Sequence, residues 1–223
     1  MRKILVYCFI LSLGTAGMVN AQKKNREVKI ITDYGTMVAR LSDETPHHRD
    51  NFIKLVKKHF YDGLLFHRVI KNFMIQGGDP DSKHAKAGEM LGNGDVGYTI
   101  PAEFRPDLFH QKGALAAARD NNPERASSGC QFYIVEGKKY TDEELDNLEQ
   151  TRLGGRKIPA AHREIYKTAG GTPWLDQNYT VFGQVIKGLD VLDKIAAVKT
   201  DPNDRPLKDV KMKIRLVHRF LFF

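Results

Sequence analysis

Phe66-His67-Arg68-Val69-Ile70-Lys71-Asn72-Phe73-Met74-Ile75-Gln76-Gly77-Gly78-Asp79 is the stretch on which the reading of this chain turns. Leu65 to Val69 alternates as a strand does, Phe73 to Gln76 does so again, and Lys71-Asn72 stands between them as a turn. The hairpin carries apolar residues on both faces. A small domain tolerates that where the hairpin lies between its core and something else that takes up apolar surface. Arg68 falls inside this surround. Its guanidinium must either tie loops to the core by hydrogen bonds or face a ligand. On residue chemistry alone both readings stand.

Before the hairpin, Val28 to Thr32 and Thr36 to Leu41 read as a strand pair around Tyr34-Gly35. Thr45-Pro46 offers an N-cap and first helical position, Phe52, Leu55, Val56 and Phe60 share one helix face, and Asp62-Gly63 stops it. Adjacent His47 and His48 point apart, and with His59 they find no nearby Asp or Cys to complete a metal set. All three are expected at the surface. Beyond the hairpin, Asp79 to Gly97 reads as a long loop. Its Gly92, Gly94 and Gly97 fit a dinucleotide fingerprint poorly and lack a strand-to-helix context. Further strands are expected at Tyr98 to Pro101, Ala114 to Ala118, Gln131 to Val135, Tyr179 to Val185 and Lys211 to Val217, and a short helix over Gly188 to Ala197.

Thr141-Asp142-Glu143-Glu144 has the capping-box pattern, and Ala160, Ala161, Ile165 and Tyr166 read as a second short helix ended by Gly170-Gly171. The stretch 137–171 exceeds what a strand connection needs. It reads as a partly helical insertion on the rim with little apolar surface, its role open between extra substrate contact and decoration. Pattern alone gives a mainly β chain, a small barrel or sandwich with helical caps.

The chain has 223 residues and a formal charge of +8. Arg2-Lys3 followed by the mostly apolar Ile4 to Val19 and by Val19-Asn20-Ala21 is the pattern of a secretory signal peptide cut after Ala21. The apolar run falls short of about 20 residues and is broken by Ser12, Gly14, Thr15 and Gly17, which argues against an anchor. Residues 22–27 then form a linker and 28–217 one domain, with an aromatic tail at 218–223. Periplasmic or secreted residence follows, with no stable membrane span after processing. Cleavage takes the charge to +6, and the basic runs Lys23-Lys24, Lys57-Lys58 and Lys138-Lys139 are scattered, so no nucleic-acid face is expected. Cys8 lies within the leader, leaving Cys130 with no intrachain disulfide partner.

The central hairpin resembles the signature of cyclophilin-type peptidyl-prolyl cis-trans isomerases. Two further blocks agree in order: Gly113 to Ala118 with Ser128-Gly129-Cys130-Gln131-Phe132-Tyr133, then Trp174-Leu175-Asp176 with Val181-Phe182-Gly183. The resemblance covers Val28 to Leu216 apart from the insertion. It implies a closed eight-stranded antiparallel β-barrel capped by two helices, with the active groove outside. It also implies isomerisation of X-Pro bonds without metal or cofactor, on proline-containing segments of folding proteins, with a cyclosporin-like macrocycle as a possible inhibitor.

Carried over residue by residue, Arg68 is the catalytic donor. Phe73, Met74 and Leu175 line the proline pocket with Tyr133 at its base. Gln76 and Gln131 bond the backbone beside the proline and orient Arg68. His67 adjoins the arginine, Ala118 lies against the residue before proline, and Trp174 edges the groove. Three positions depart from the family: Tyr133 where Phe is usual, Arg119 where Asn is common, and Tyr179 in place of a frequent His. Arg119 would bias binding towards acidic neighbours. The competing reading is a proline-segment binding module, or chaperone-like domain, with little turnover.

Overall fold

Alternating apolar residues in the strands resolve into one curled sheet, buried on its inner face and covered on part of its outer face. The computed structural model describes residues 26–217; the expected leader, most of the linker and the aromatic tail lie outside the described residues. In chain order the elements are β1 Glu27–Thr32, β2 Gly35–Leu41, α1 Pro46–Lys57, β3 Phe66–Ile70, β4 Met74–Gly77, a 3-10 turn at Pro80–His84, β5 Thr99–Ile100, β6 Ala114–Ala117, β7 Ser127–Ser128, β8 Phe132–Val135, α2 Asp142–Thr151, α3 Ala160–Thr168, a second 3-10 turn at Pro173–Leu175, β9 Val181–Lys187, α4 Leu189–Ala196 and β10 Met212–Leu216. Eight strands pair antiparallel in the order β10-β1-β2-β9-β6-β8-β4-β3, and β5 with β7 forms a separate small ribbon. The expected closed barrel is incomplete among the described residues. Its end strands touch at one bridge, Leu65 to Lys211, flanked by hydrogen bonds from Phe66 N to Val210 O (2.9 Å) and from Met212 N to Leu64 O (2.8 Å). The sheet is therefore an eight-stranded half-barrel.

The inner face buries Ile30, Met37, Phe66, Val69, Ile75, Leu115, Phe132, Ile134 and Phe182, closed off by Phe52 and Leu55 of α1 and Leu192 and Ile195 of α4. The outer face of β4, β6, β8 and β9 carries a second cluster of Met74, Ala114, Ala116, Tyr133, Val135 and Val181. The two-faced hairpin is explained by this arrangement: Val69 and Ile75 point inward, Met74 outward. Burial of such apolar area, at about 25 cal/mol per Å², holds the sheet from inside throughout and from outside at these four strands, while the outer residues of β1, β2 and β10 stay largely in solvent.

Two expectations are corrected here. His48 is not a surface residue but 2 % exposed, with Nδ1 2.7 Å from Glu103 Oε2 and Nε2 3.0 Å from Ser127 Oγ. Glu103 also accepts the backbone N–H groups of His47 (3.2 Å) and His48 (3.0 Å), so this distant carboxylate serves the start of α1 while Thr45 makes no side-chain cap bond. The insertion, second, is not poor in apolar surface. Leu145 and Leu148 of α2, Tyr166 of α3, and Tyr140 and Ile158 from the segments beside these helices pack on Phe109 of the barrel, with Trp174 against them. Its expected capping box is present: Glu144 N donates to Thr141 Oγ1 (3.2 Å) and Thr141 N to Glu144 Oε2 (3.0 Å).

Candidate active site

Strand register assembles the centre of the site. A bulge between Phe66 and Arg68 shifts the pairing of β3 on β4, so Phe66 and Val69, three apart, both reach the inner core and Arg68 faces outward. Arg68 then stands opposite Gln76, Gln76 opposite Tyr133 of β8, and Tyr133 opposite Ala116 of β6, one row across four strands. One row along, Met74 pairs with Ile70 and Val135. Phe73 sits in the turn, its N–H donating to Ile70 O (3.1 Å), beside Asn72 at φ 61°.

Arg68, Phe73, Met74, Gln76, Ala118, Arg119, Tyr133, Leu175 and Tyr179 share one open pocket of about 180 Å³. Nine of the expected residues thus meet. Gln131 lies just beyond, its Oε1 accepting from Gln76 Nε2 at 3.1 Å and its Nε2 donating to the carbonyls of Gly92 (2.9 Å) and Gly94 (2.8 Å). Gly94 has to be glycine, because a Cβ there would lie 2.1 Å from Asp79 Oδ1. Buried Asp79 is the post of this loop, accepting from Asp81 N (2.8 Å) and Gly92 N (2.5 Å).

Three placements differ from expectation. The glutamines do not hold Arg68. Its partner is Asp204, which the sequence reading missed, with Nε to Oδ2 at 3.4 Å and the arginine side chain 44 % exposed. Asp204 adopts φ 63° and its carbonyl accepts Val69 N (2.8 Å), tying the loop to β3 next to the arginine. His67 is the bulge residue and lies outside the pocket, 3 % exposed, with neither ring nitrogen partnered among the described residues. Burial pushes its pKa from 6.5 down to about 4, against an upward pull from Asp79. Trp174 stands behind the pocket, stacked on Phe73 (centroids 5.9 Å, 29°), and faces a neighbouring cavity.

The departures at Tyr133, Arg119 and Tyr179 are mutually fitted. Tyr133 hydroxyl meets buried His110 Nε2 at 2.9 Å, His110 Nδ1 meets Asp176 Oδ1 at 2.9 Å, and Asp176 Oδ2 accepts from Tyr166 of α3 at 2.6 Å. A carboxylate only accepts, so His110 Nδ1 carries a proton, and Nε2 is left to the Tyr133 hydroxyl. Burial drives the Tyr133 pKa well above 10, so it stays a neutral phenol. Tyr179 meets Tyr133 edge-on at 5.9 Å, and the Arg119 guanidinium lies over Tyr179 at 4.6 Å while donating to Asn178 O (3.0 Å) and Asp120 O (3.0 Å). No sequence signal pointed to His110 or Asp204, since each acts from a loop distant in the chain.

Such a site can grip a small apolar ring between Phe73, Met74 and Leu175 and present a fixed planar cation at its mouth. A family model described as "Cyclophilin type peptidyl-prolyl cis-trans isomerase/CLD" matches residues 27–216. The chain belongs to the cyclophilin-type peptidyl-prolyl cis-trans isomerase family. A Staphylococcus saprophyticus protein named as a peptidyl-prolyl cis-trans isomerase is 38% identical over 195 residues, 86% of this chain and 92% of the relative. A Staphylococcus aureus counterpart is 39% identical over the same shares. Among solved structures, a Cryptosporidium parvum cyclophilin-type isomerase superposes with TM-score 0.63 at 23% identity, covering 87% of this chain and 98% of that one. A second structure of it, in the presence of the dipeptide Ala-Pro, gives TM-score 0.62. These two likenesses speak for the cyclophilin fold.

Proposed function

We propose that this isomerase acts on X-Pro bonds of exported or envelope proteins and assists their folding, with Arg68 as the donor that favours the twisted imide. Rotation about a peptide C–N bond meets a barrier of about 18–20 kcal/mol because resonance is lost. At the top of the barrier the prolyl nitrogen is sp³-like and can accept a hydrogen bond. The chemistry asks for no nucleophile and no proton transfer, only a grip on the ring and a cation aimed at the nitrogen. Arg68 supplies five N–H groups on a plane that cannot deprotonate. Phe73, Met74, Leu175 and Tyr133 hold the ring, Gln76 and Gln131 bond the flanking backbone, and Ala118 and Arg119 line the approach. The observation that carries this reading is the half-exposed Arg68 on the wall of the pocket that Phe73, Met74 and Leu175 form. A cyclosporin-like macrocycle would compete for the same pocket.

A protease-coupled assay on a succinyl-Ala-X-Pro-Phe anilide tests it: the slow cis fraction should be cleaved faster in proportion to enzyme. Binding of the peptide without acceleration would instead favour the proline-segment module. Export rests on Arg2-Lys3, the apolar run and Val19-Asn20-Ala21. Mass spectrometry of the protein from native envelope fractions should find Gln22 at the N-terminus, and a form beginning at Met1 there would reject cleavage.

A further inference from the structure

We infer that the cavity between α2 and Trp174 is a second side-chain subsite of the enzyme, taking an aspartate or glutamate close in sequence to the substrate proline. The inference rests on the isomerase reading above. The cavity measures about 320 Å³; Asn72 and Trp174 wall it from the barrel side, and the insertion adds Lys138 with its partner Glu144, Leu148 and Arg152 among others. It shares its partition with the proline pocket. Phe73 and Leu175 face one side, their chain neighbours Asn72 and Trp174 the other, and the stacked rings of Phe73 and Trp174 are 5.9 Å apart between centroids. An extended peptide advances roughly 3.3–3.6 Å per residue, so a chain with its proline in the first pocket reaches the second within about two or three residues.

Charge decides what enters. Four of the five acidic side chains of α2 are already engaged: Asp142 and Asp146 by Arg163 (3.1 and 2.9 Å), Glu149 by Arg163 and Lys157 (3.0 and 2.6 Å), and Glu144 by Lys138 at 2.6 Å; the fifth, Glu143, is exposed and lies outside the cavity wall. Lys138 is thereby neutralised within the cavity wall. Arg152 is different. Its guanidinium lies over the Trp174 ring at 4.9 Å and has no carboxylate within salt-bridge reach among the described residues. Stacking fixes the plane of a guanidinium while leaving its edge N–H groups open, the arrangement that receives a carboxylate with two parallel hydrogen bonds. Leu148 and Trp174 offer apolar surface to the methylene stem. A lysine-bearing peptide would meet the uncompensated Arg152 and be disfavoured.

The test uses matched prolyl peptides bearing Glu, Gln or Lys two or three residues before or after the proline, with wild type and Arg152→Gln. Two readouts run together: kcat/KM for isomerisation, and binding followed by fluorescence of Trp174, the single tryptophan of the chain. Wild type should favour Glu over Gln by about fivefold from one of the positions, the size of a well-formed exposed charge pair. The advantage should shrink as salt rises, and Arg152→Gln should bring the ratio to near one. Equal handling of Glu and Gln by wild type, or an advantage that survives in Arg152→Gln, overturns the proposal and in the second case moves the preference to Arg119 or to net charge. Failure of wild type to accelerate even the Gln peptide would count against the isomerase reading, and the Trp174 binding ratios would still decide the subsite.

Discussion

Arg68 is held by a single 3.4 Å contact to Asp204 and is otherwise open towards the pocket, so its removal should cost catalysis far more than folding. A donor aimed at the twisted nitrogen acts mainly in the transition state. A charge-assisted hydrogen bond of about 1.5–3 kcal/mol and the 10²–10³-fold cost of deleting a preorganised donor overlap near a 100-fold loss of kcat/KM for Arg68→Ala. Arg68→Lys should recover little, because a flexible ammonium lacks the rigid fork. Phe73→Ala should weaken ground-state binding and the transition state together. Michaelis kinetics on one prolyl peptide, with melts matched to the parent, separate the three; an Arg68→Ala enzyme within threefold of wild type would remove the arginine from the mechanism. Tyr133 makes a second case. Tyr133→Phe keeps the ring of the pocket floor but leaves buried His110 Nε2 without its 2.9 Å partner. The cost should be about 1–3 kcal/mol of stability, read from urea midpoints. A Tyr133→Phe protein as stable as wild type would show that the hydroxyl does not support the fold.

At the scale of elements, the sequence located nearly every strand and helix, because each carries its own period or cap. The capping box at Thr141 and Pro46 at the start of α1 are local signals and needed no tertiary information. What stayed hidden depends on distant partners. His48 looked like a surface histidine because Glu103, which receives it, is a lone acid in an irregular stretch. The insertion looked dispensable because its apolar residues are sparse in sequence, yet they close over Phe109 and Trp174, and Tyr166 reaches Asp176. Replacing 141–168 by a short glycine-containing loop should therefore lower the thermal midpoint, even though loop-closure entropy changes slowly with length. It uncovers the Phe109 cluster and strips Asp176 of the Tyr166 hydroxyl. Tyr166→Phe isolates the second effect and should cost about 1.5–3 kcal/mol, as for other hydrogen bonds to charged groups. Calorimetry of both variants checks this. An unchanged midpoint in the deletion would return the insertion to the status of decoration.

Across the whole molecule, the fold was legible because the central hairpin required burial on both faces, and the half-barrel supplies an inner core and an outer cluster to satisfy it. Of the candidate site, the sequence foreshadowed which side chains share a pocket but not the contacts they make. Register placed Arg68, Gln76 and Tyr133 in a row, whereas the bulge that buries His67 has no sequence mark of its own. That bulge also shapes how the protein responds to acid. His48 and His110 are buried against carboxylates, Glu103 and Asp176 respectively. Among the described residues His67 has no such partner, and burial lowers its pKa from 6.5 to about 4. The unfolded chain therefore binds a proton at this residue between those values when the folded chain does not. Its contribution to stability is complete above pH 6.5, declines as pH falls towards 4, and is flat below. At about 1.4 kcal/mol per pH unit the gap amounts to about 3 kcal/mol. Urea unfolding of wild type from pH 7.5 to 4 should show this slope added to what the carboxylates contribute and to that of His48, whose pKa burial also lowers, and His67→Phe, which cannot titrate, should show a shallower one over the same window. Parallel pH profiles for the two proteins would mean that His67 finds a partner for its proton in the folded state.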